Sequence, residues 1–144
     1  MHGKVVVEGA ARGRALVSAE PLSFWGGYDY HTGEITDRRH PLSGLIAAGR
    51  ILALPFTRGS STTTAILLEA VRAGTAPAAI LTTGVDPFFA LASIVANEMY
   101  ARPIPIVALT PEDFARLQTG DEMEVEVDGE IHVREEEGRM TSRG

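Results

Sequence analysis

The sequence predicts an α/β fold, a mixed β/β/α domain in which a central parallel strand–helix unit is flanked by antiparallel strands. Three observations carry that prediction. Between Arg50 and Leu109, short apolar runs alternate with segments whose apolar residues recur at helical spacing, the order that builds parallel crossovers. Before Arg50 the chain holds short strand-like runs separated by glycine turns. Near the C-terminus, alternating apolar and acidic residues on both sides of Asp128-Gly129 form a hairpin pattern.

Taken in order, residues 4–7 form a first strand, and residues 14–17 a second that begins after the turn residue Gly13. Residues 23–33 hold Phe24, Trp25, Tyr28 and Tyr30 among Gly26, Gly27 and Gly33, and aromatics in that number need a packing surface. They predict a structured loop, followed by a strand at 34–36. Residues 51–56 read as a buried strand, 61–73 as a helix closed by Gly74, and 79–82 as a second buried strand. Asp86-Pro87 supplies an N-cap and a first-turn proline for a helix at 88–99, with Phe88, Leu91, Ala92, Val95 and Met99 as its periodic apolar positions. A third buried strand at 104–109 precedes a short helix opened by Thr110-Pro111 and running through Leu117. Val125 and Val127 then alternate with acidic residues, and residues 130–133 return as the second arm of the hairpin. The domain is expected to span residues 1–134, with 135–144 a charged, frayed tail.

Composition narrows the function classes. The chain has 144 residues, 13 Lys+Arg against 19 Asp+Glu, and a formal net charge of −6. An acidic chain with scattered arginines and a single lysine, Lys4, argues against nucleic-acid binding. No apolar stretch is long enough to span a bilayer, and the N-terminus lacks a signal-peptide core, so a cytoplasmic location and no membrane partner are expected. With no cysteine there is no thiolate to hold zinc or an iron–sulfur cluster. His2, His31, His40 and His132 are far apart in sequence, so no metal site is expected within this chain alone. His40 is read as a loop hydrogen-bonding residue, and Asp29 and Asp37 as aspartates that bond local backbone amides.

The most informative segment is Pro55-Phe56-Thr57-Arg58-Gly59-Ser60-Ser61-Thr62-Thr63-Thr64, where a strand passes through a tight loop into a helix start. Backbone N–H groups at such a start favour an anion, and Arg58 adds a permanent cation suited to a carboxylate or phosphate. One hydroxyl suffices for a cap. Five hydroxyls in a row beside an arginine point to a substrate or anion site comprising Arg58, Gly59, Ser60, Ser61 and Thr62. P-loop and dinucleotide fingerprints are absent. Without an adjacent histidine, triad hydrolysis is unsupported, and the remaining chemistry is proton abstraction next to a carboxylate by a serine whose alkoxide the loop stabilises.

These residues belong to a wider pattern. Gly-Arg-Ala-Leu-Val at 13–17, Pro-Leu-Ser-Phe-Trp-Gly-Gly-Tyr-Asp at 21–29, Thr-Gly-Glu-Ile-Thr-Asp at 32–37, His-Pro-Leu at 40–42, Arg-Gly-Ser-Ser at 58–61 and Ala-Pro-Ala-Ala-Ile-Leu at 76–81 resemble the small, swivel-domain subunit of the aconitase X family. The resemblance implies a swivelling β/β/α domain that closes over a large catalytic subunit carrying an iron–sulfur cluster or iron centre. It implies a hydro-lyase acting on a small hydroxy acid, either cis-3-hydroxy-L-proline or mevalonate 5-phosphate. It also implies that Ser60, directly after Gly59, is the proton-abstracting base. Aconitases follow their two serines with a substrate-binding arginine, whereas Thr62 stands there in this chain. Arg58 is assigned to substrate on chemistry alone. A lone cation, with Ala65, Ile66, Phe88 and Phe89 as a compact apolar rim, favours the pyrrolidine substrate over the phosphate ester. A non-catalytic anion-binding domain and a structural assembly subunit are the alternatives of another class.

Overall fold

The computed structural model describes residues 1–57 and 61–134. In chain order the strands are β1 (Lys4–Val7), β2 (Ala11–Val17), β3 (Tyr28–Asp29), β4 (Glu34–Ile35), β5 (Ile51–Ala53), β6 (Ala79–Thr82), β7 (Ile106–Ala108), β8 (Glu122–Val125) and β9 (Ile131–Arg134). The helices are α1 (Ser61–Ala73), α2 (Pro87–Tyr100) and α3 (Pro111–Phe114). Among the described residues, seven strands form one sheet in the order β1-β7-β6-β5-β2-β8-β9, and β3 pairs with β4 in a small hairpin.

The middle of the sheet is parallel: β7, β6, β5 and β2 run the same way. Its margins are antiparallel, β1 on β7 at one side and β8 then β9 beyond β2 at the other. The margins then meet. His2 bridges Glu130, Gly3 N donates to Gly129 O at 3.0 Å and Ile131 N donates to Met1 O at 2.7 Å, so the sheet curls until its two margins touch at the N-terminus. Gly129 turns the β8–β9 hairpin at φ 92°, and a Cβ there would stand 2.6 Å from Gly3 O. Only glycine satisfies both demands.

Strand alternation divides the core between the two faces. Leu16, Leu52, Leu54, Ile80 and Ile106 face α1, α2 and the segment 22–47, whereas Ala15, Ile51, Ala53, Ala79, Leu81 and Val107 face Phe114, Leu117, Met123, Val125 and Ile131. Both faces of the parallel strands are therefore dry, which is why these strands read as unbroken apolar runs. The aromatic loop packs onto the helical face. Phe24, fully buried, stacks on Tyr28 at 5.3 Å between ring centroids and meets the edge of Phe89 at 5.6 Å.

Several boundaries differ from the sequence reading for identifiable reasons. β2 starts at Ala11, because Gly13 is a strand residue: a Cβ on it would lie 2.8 Å from Gly49 O, so the glycine serves close approach and not a turn. β5 ends at Ala53, since Pro55 has no N–H for a ladder and Phe56 is exposed. β7 and α3 are shorter than expected at both or one of their ends. Val127 is exposed just beyond the end of β8 and continues no buried face. α2 buries Phe89, Ala92, Ser93 and Ala96, while Leu91 and Met99 of the expected apolar face are exposed. α2 is apolar nearly all round, so periodicity could not choose its face; the small residues Ala92, Ser93 and Ala96 did, by allowing close packing.

Candidate functional site

The carboxyl ends of β5 and β6 meet in a knot of backbone and side-chain hydrogen bonds. Leu54 N donates to Leu81 O at 3.0 Å. Pro55 O accepts from Thr83 N at 3.2 Å and from the Thr83 hydroxyl at 3.1 Å. Leu22 forms a parallel bridge with Thr57 from the other side, bringing the segment after β2 to the same rim.

Asp86 ties the rim together. Its Oδ1 accepts from Phe88 N at 2.9 Å and Phe89 N at 3.2 Å, capping α2 as the sequence predicts. Its Oδ2 accepts from Thr57 N at 2.8 Å and Thr57 Oγ1 at 3.0 Å. Asp86 and Thr57 are each 6% exposed, so both bonds between them are shielded from water. Sequence reasoning found the cap and missed the bridge to Thr57, because no local signal links residues 29 positions apart.

Of the predicted site residues, Arg58, Gly59 and Ser60 lie outside the described residues. Ser61 is the first residue of α1, and Thr62 is half-buried in its first turn. No acidic residue occupies the first turn of α1, whereas α2 is capped by Asp86 and α3 carries Glu112 and Asp113. The positive end of the α1 dipole is thus left without a carboxylate in that turn. Thr64 Oγ1 donates to Phe88 O at 3.3 Å, so α1 is also tied to the start of α2 just after this turn.

The expected apolar rim is altered. Phe89 is fully buried against Phe24 and faces no ligand, while Phe88 and Ile66 are half-buried and Ala65 is exposed. Phe56 and Val85, 51% and 56% exposed, follow β5 and β6 at the same rim.

His40 is buried, with Nδ1 accepting from Leu42 N at 3.1 Å and Nε2 donating to Glu20 O at 3.2 Å. Both ring nitrogens are spent on loop backbone, as the hydrogen-bonding assignment requires. Asp29 Oδ1 accepts from His31 N and Asp37 Oδ1 from Arg39 N, each holding its own turn. Among the described residues no group of three or more histidines and carboxylates could hold a metal ion, and no helix is long and apolar enough to cross a membrane.

Residues 1–133 match the aconitase X swivel domain. The chain belongs to that family. Its fold superposes on Thermococcus kodakaraensis aconitase X with a TM-score of 0.82, at 32% identity over 93% of this chain and 97% of that one. It is 39% identical to the phosphomevalonate dehydratase small subunit of Methanothermobacter thermautotrophicus over 127 residues, 88% of this chain and 92% of that subunit. It is 47% identical to the cis-3-hydroxy-L-proline dehydratase of Pseudomonas aeruginosa over 106 residues, 74% of this chain. That match spans only 18% of the dehydratase, so the chain corresponds to about a fifth of the length of such a relative. The mixed sheet with its antiparallel margins is accordingly the swivel fold of aconitase X.

Proposed function

We propose that this chain is the small subunit of an aconitase X-type hydro-lyase and that it works by closing over a large catalytic subunit. The observation that carries the reading is the Ser/Thr-rich start of α1 at the carboxyl end of β5, in a chain that matches the swivel domain from residue 1 to residue 133. Its named relatives are dehydratases or subunits of them. Ser60 is the base that takes the proton from the carbon bearing the substrate carboxylate. The hydroxyl on the neighbouring carbon departs with its bonding pair and takes up a proton from solvent to become water, while the electron pair left by the abstracted proton forms the double bond between the two carbons. Gly59 and Ser61 with the α1 N-terminus stabilise the serine alkoxide, Arg58 holds an anionic group of the substrate, and Thr62 completes the substrate-binding set. This chain has no cysteine, and its described residues offer no ligand cluster, so the iron–sulfur cluster or iron centre belongs to the large subunit. The enzyme acts in the cytoplasm, with no nucleic-acid or membrane partner.

For substrate we favour cis-3-hydroxy-L-proline. The higher identity, 47% against 39%, lies with the dehydratase of that compound, and Arg58 as a lone cation in its loop suits one carboxylate better than a carboxylate and a phosphate together. Phe89 is buried against Phe24 and cannot line the pocket, so the preference rests on the single charge of Arg58 and on the identity.

The test reconstitutes this chain with its large subunit under reducing, iron-replete conditions and offers each compound separately. The expected result is that hydroxyproline is dehydrated, that the isolated chain is inactive, and that Ser60→Ala lowers turnover at least ~100-fold with assembly intact. Near-normal turnover of an assembled Ser60→Ala complex would falsify the serine assignment. Dehydration of mevalonate 5-phosphate with none of hydroxyproline overturns the substrate and leaves the subunit reading in place.

A further inference from the structure

We propose that Asp86 is a positioning residue for the reaction: through Thr57 it fixes the point from which the Arg58-Gly59-Ser60 segment departs. The inference rests on the reading of Ser60 as the base.

The argument starts from what capping alone requires. A helix N-cap needs one acceptor oxygen, and Ser, Asn and Asp supply it about equally well. Asp86 supplies it with Oδ1, to Phe88 N and Phe89 N. Capping leaves Oδ2 without a task. Here Oδ2 accepts both the backbone N–H and the hydroxyl of Thr57, in a setting where both residues are 6% exposed. An asparagine in the same pose would present an NH2 group to two donors, and a serine has no second oxygen. Only a carboxylate caps α2 and receives Thr57 at once.

Thr57 is the residue immediately before Arg58. Beyond the segment, Thr64 Oγ1 donates to Phe88 O, so the chain is tied to the start of α2 on both sides of Arg58-Gly59-Ser60. Phe88 N also bonds Asp86, which makes the first turn of α2 the common reference for both ties. A serine base must stand within hydrogen-bond reach of the proton it takes, and a misplacement of about 1 Å costs on the order of 100-fold in rate, so a displaced anchor changes turnover more than binding.

The test uses the reconstituted two-subunit complex with Asp86→Ser, Asp86→Asn, Thr57→Val and Thr57→Ser, and Ser60→Ala as reference. Both Asp86 variants keep a capping oxygen and lose the acceptor for Thr57. We expect their kcat to fall at least tenfold with KM changed by less than threefold and the complex still formed. Thr57→Val removes only the hydroxyl donor; kcat falls about threefold or more, and Thr57→Ser, which restores the hydroxyl, recovers turnover relative to the valine variant. A cap or a packing residue would not give that recovery. The proposal is overturned if both Asp86 variants turn over within threefold of wild type while Ser60→Ala is inactive, an outcome that leaves the serine reading intact. It is also overturned if activity is lost only in step with assembly, and it falls together with the serine reading if Ser60→Ala remains active.

Discussion

Ser93 is the side chain whose loss should be felt most for its size. It lies in the middle of α2 with no exposure, where its Oγ donates to Ile104 O at 2.6 Å and accepts from Ile104 N at 2.7 Å. One hydroxyl thus satisfies both backbone groups of a residue that is itself 3% exposed, just before β7. Ser93→Ala removes a single oxygen and leaves two buried polar groups unpaired. Each orphaned group costs about 1–3 kcal/mol, so the change should cost about 2–6 kcal/mol, with the small cavity adding little. In a domain near this size, each kcal/mol lowers Tm by roughly 2–4 °C, which puts the expected shift at about 10 °C. Urea unfolding followed by circular dichroism gives the free energy, and an unchanged slope against denaturant shows that the native and unfolded states are comparable. A loss below ~0.5 kcal/mol with an unchanged slope would refute the reasoning, because it would mean that Ile104 finds other partners at no cost. A serine in an otherwise apolar helix face is an easy residue to dismiss as a weak helix former. Its position makes it the clamp that sets α2 against the strand layer.

Two further predictions concern pH and assembly. Burial pushes the Tyr28 phenol well above its ordinary value, and its hydroxyl donates to Thr75 O at 2.7 Å. The native phenol therefore stays neutral when the unfolded one ionises, so the folded state holds more protons above about pH 10 and stability falls as pH rises from there. Tyr28→Phe should lose about 1 kcal/mol near neutral pH, for the missing hydrogen bond, and show a flatter alkaline limb; parallel limbs for the two proteins would contradict the assignment. On the proposed subunit role, Trp25 and Phe56, 74% and 51% exposed in segments that follow β2 and β5, are candidates for cover by the large subunit. The Trp25→Ser and Phe56→Ser variants should bind that subunit at least tenfold more weakly in titration calorimetry while their own Tm stays within a few degrees of wild type. Unchanged affinity in both would place the subunit contact elsewhere.

The sequence revealed elements whose signals are local. α1 runs from Ser61 to Ala73 and β6 from Ala79 to Thr82, both as read, because Gly74 closes the helix at φ 78° and the strand is an unbroken apolar run. Asp86-Pro87 fixed the start of α2 in the same way. Features that depend on long-range approach were not legible. Gly13 has the chemistry of a turn residue, and only the nearness of Gly49 O makes it a strand residue. The second task of Asp86 depends on Thr57 arriving from the segment that follows β5. The buried face of α2 depends on α1, and Phe89 left the expected rim because Phe24 folds over from the aromatic loop to meet it.

A serine hydroxyl is a poor base, and the loop that uses one must hold its stabilising donors in place before the substrate arrives, since ordering them afterwards would consume binding energy. The described residues around the Arg58-Gly59-Ser60 segment supply that order from outside it. Thr57 is held by two partners: Leu22 through a parallel bridge, and Asp86 through two hydrogen bonds. Pro55, two residues earlier, is held by Thr83, and Thr64, in the first turns of α1, by Phe88. All but one of these ties lead to the β6–α2 connection or to the first turn of α2, and α2 is clamped to the sheet by Ser93. The stability of α2 and the placement of the proposed base are therefore coupled through a short chain of contacts. Ser93→Ala offers a way to read that coupling without touching the loop. If placement depends on α2, this variant should lose turnover in the assembled enzyme at temperatures well below its own melting transition, with KM little changed. Full turnover there would show that the Asp86–Thr57 tie holds the loop independently of how firmly the rest of the helix is packed.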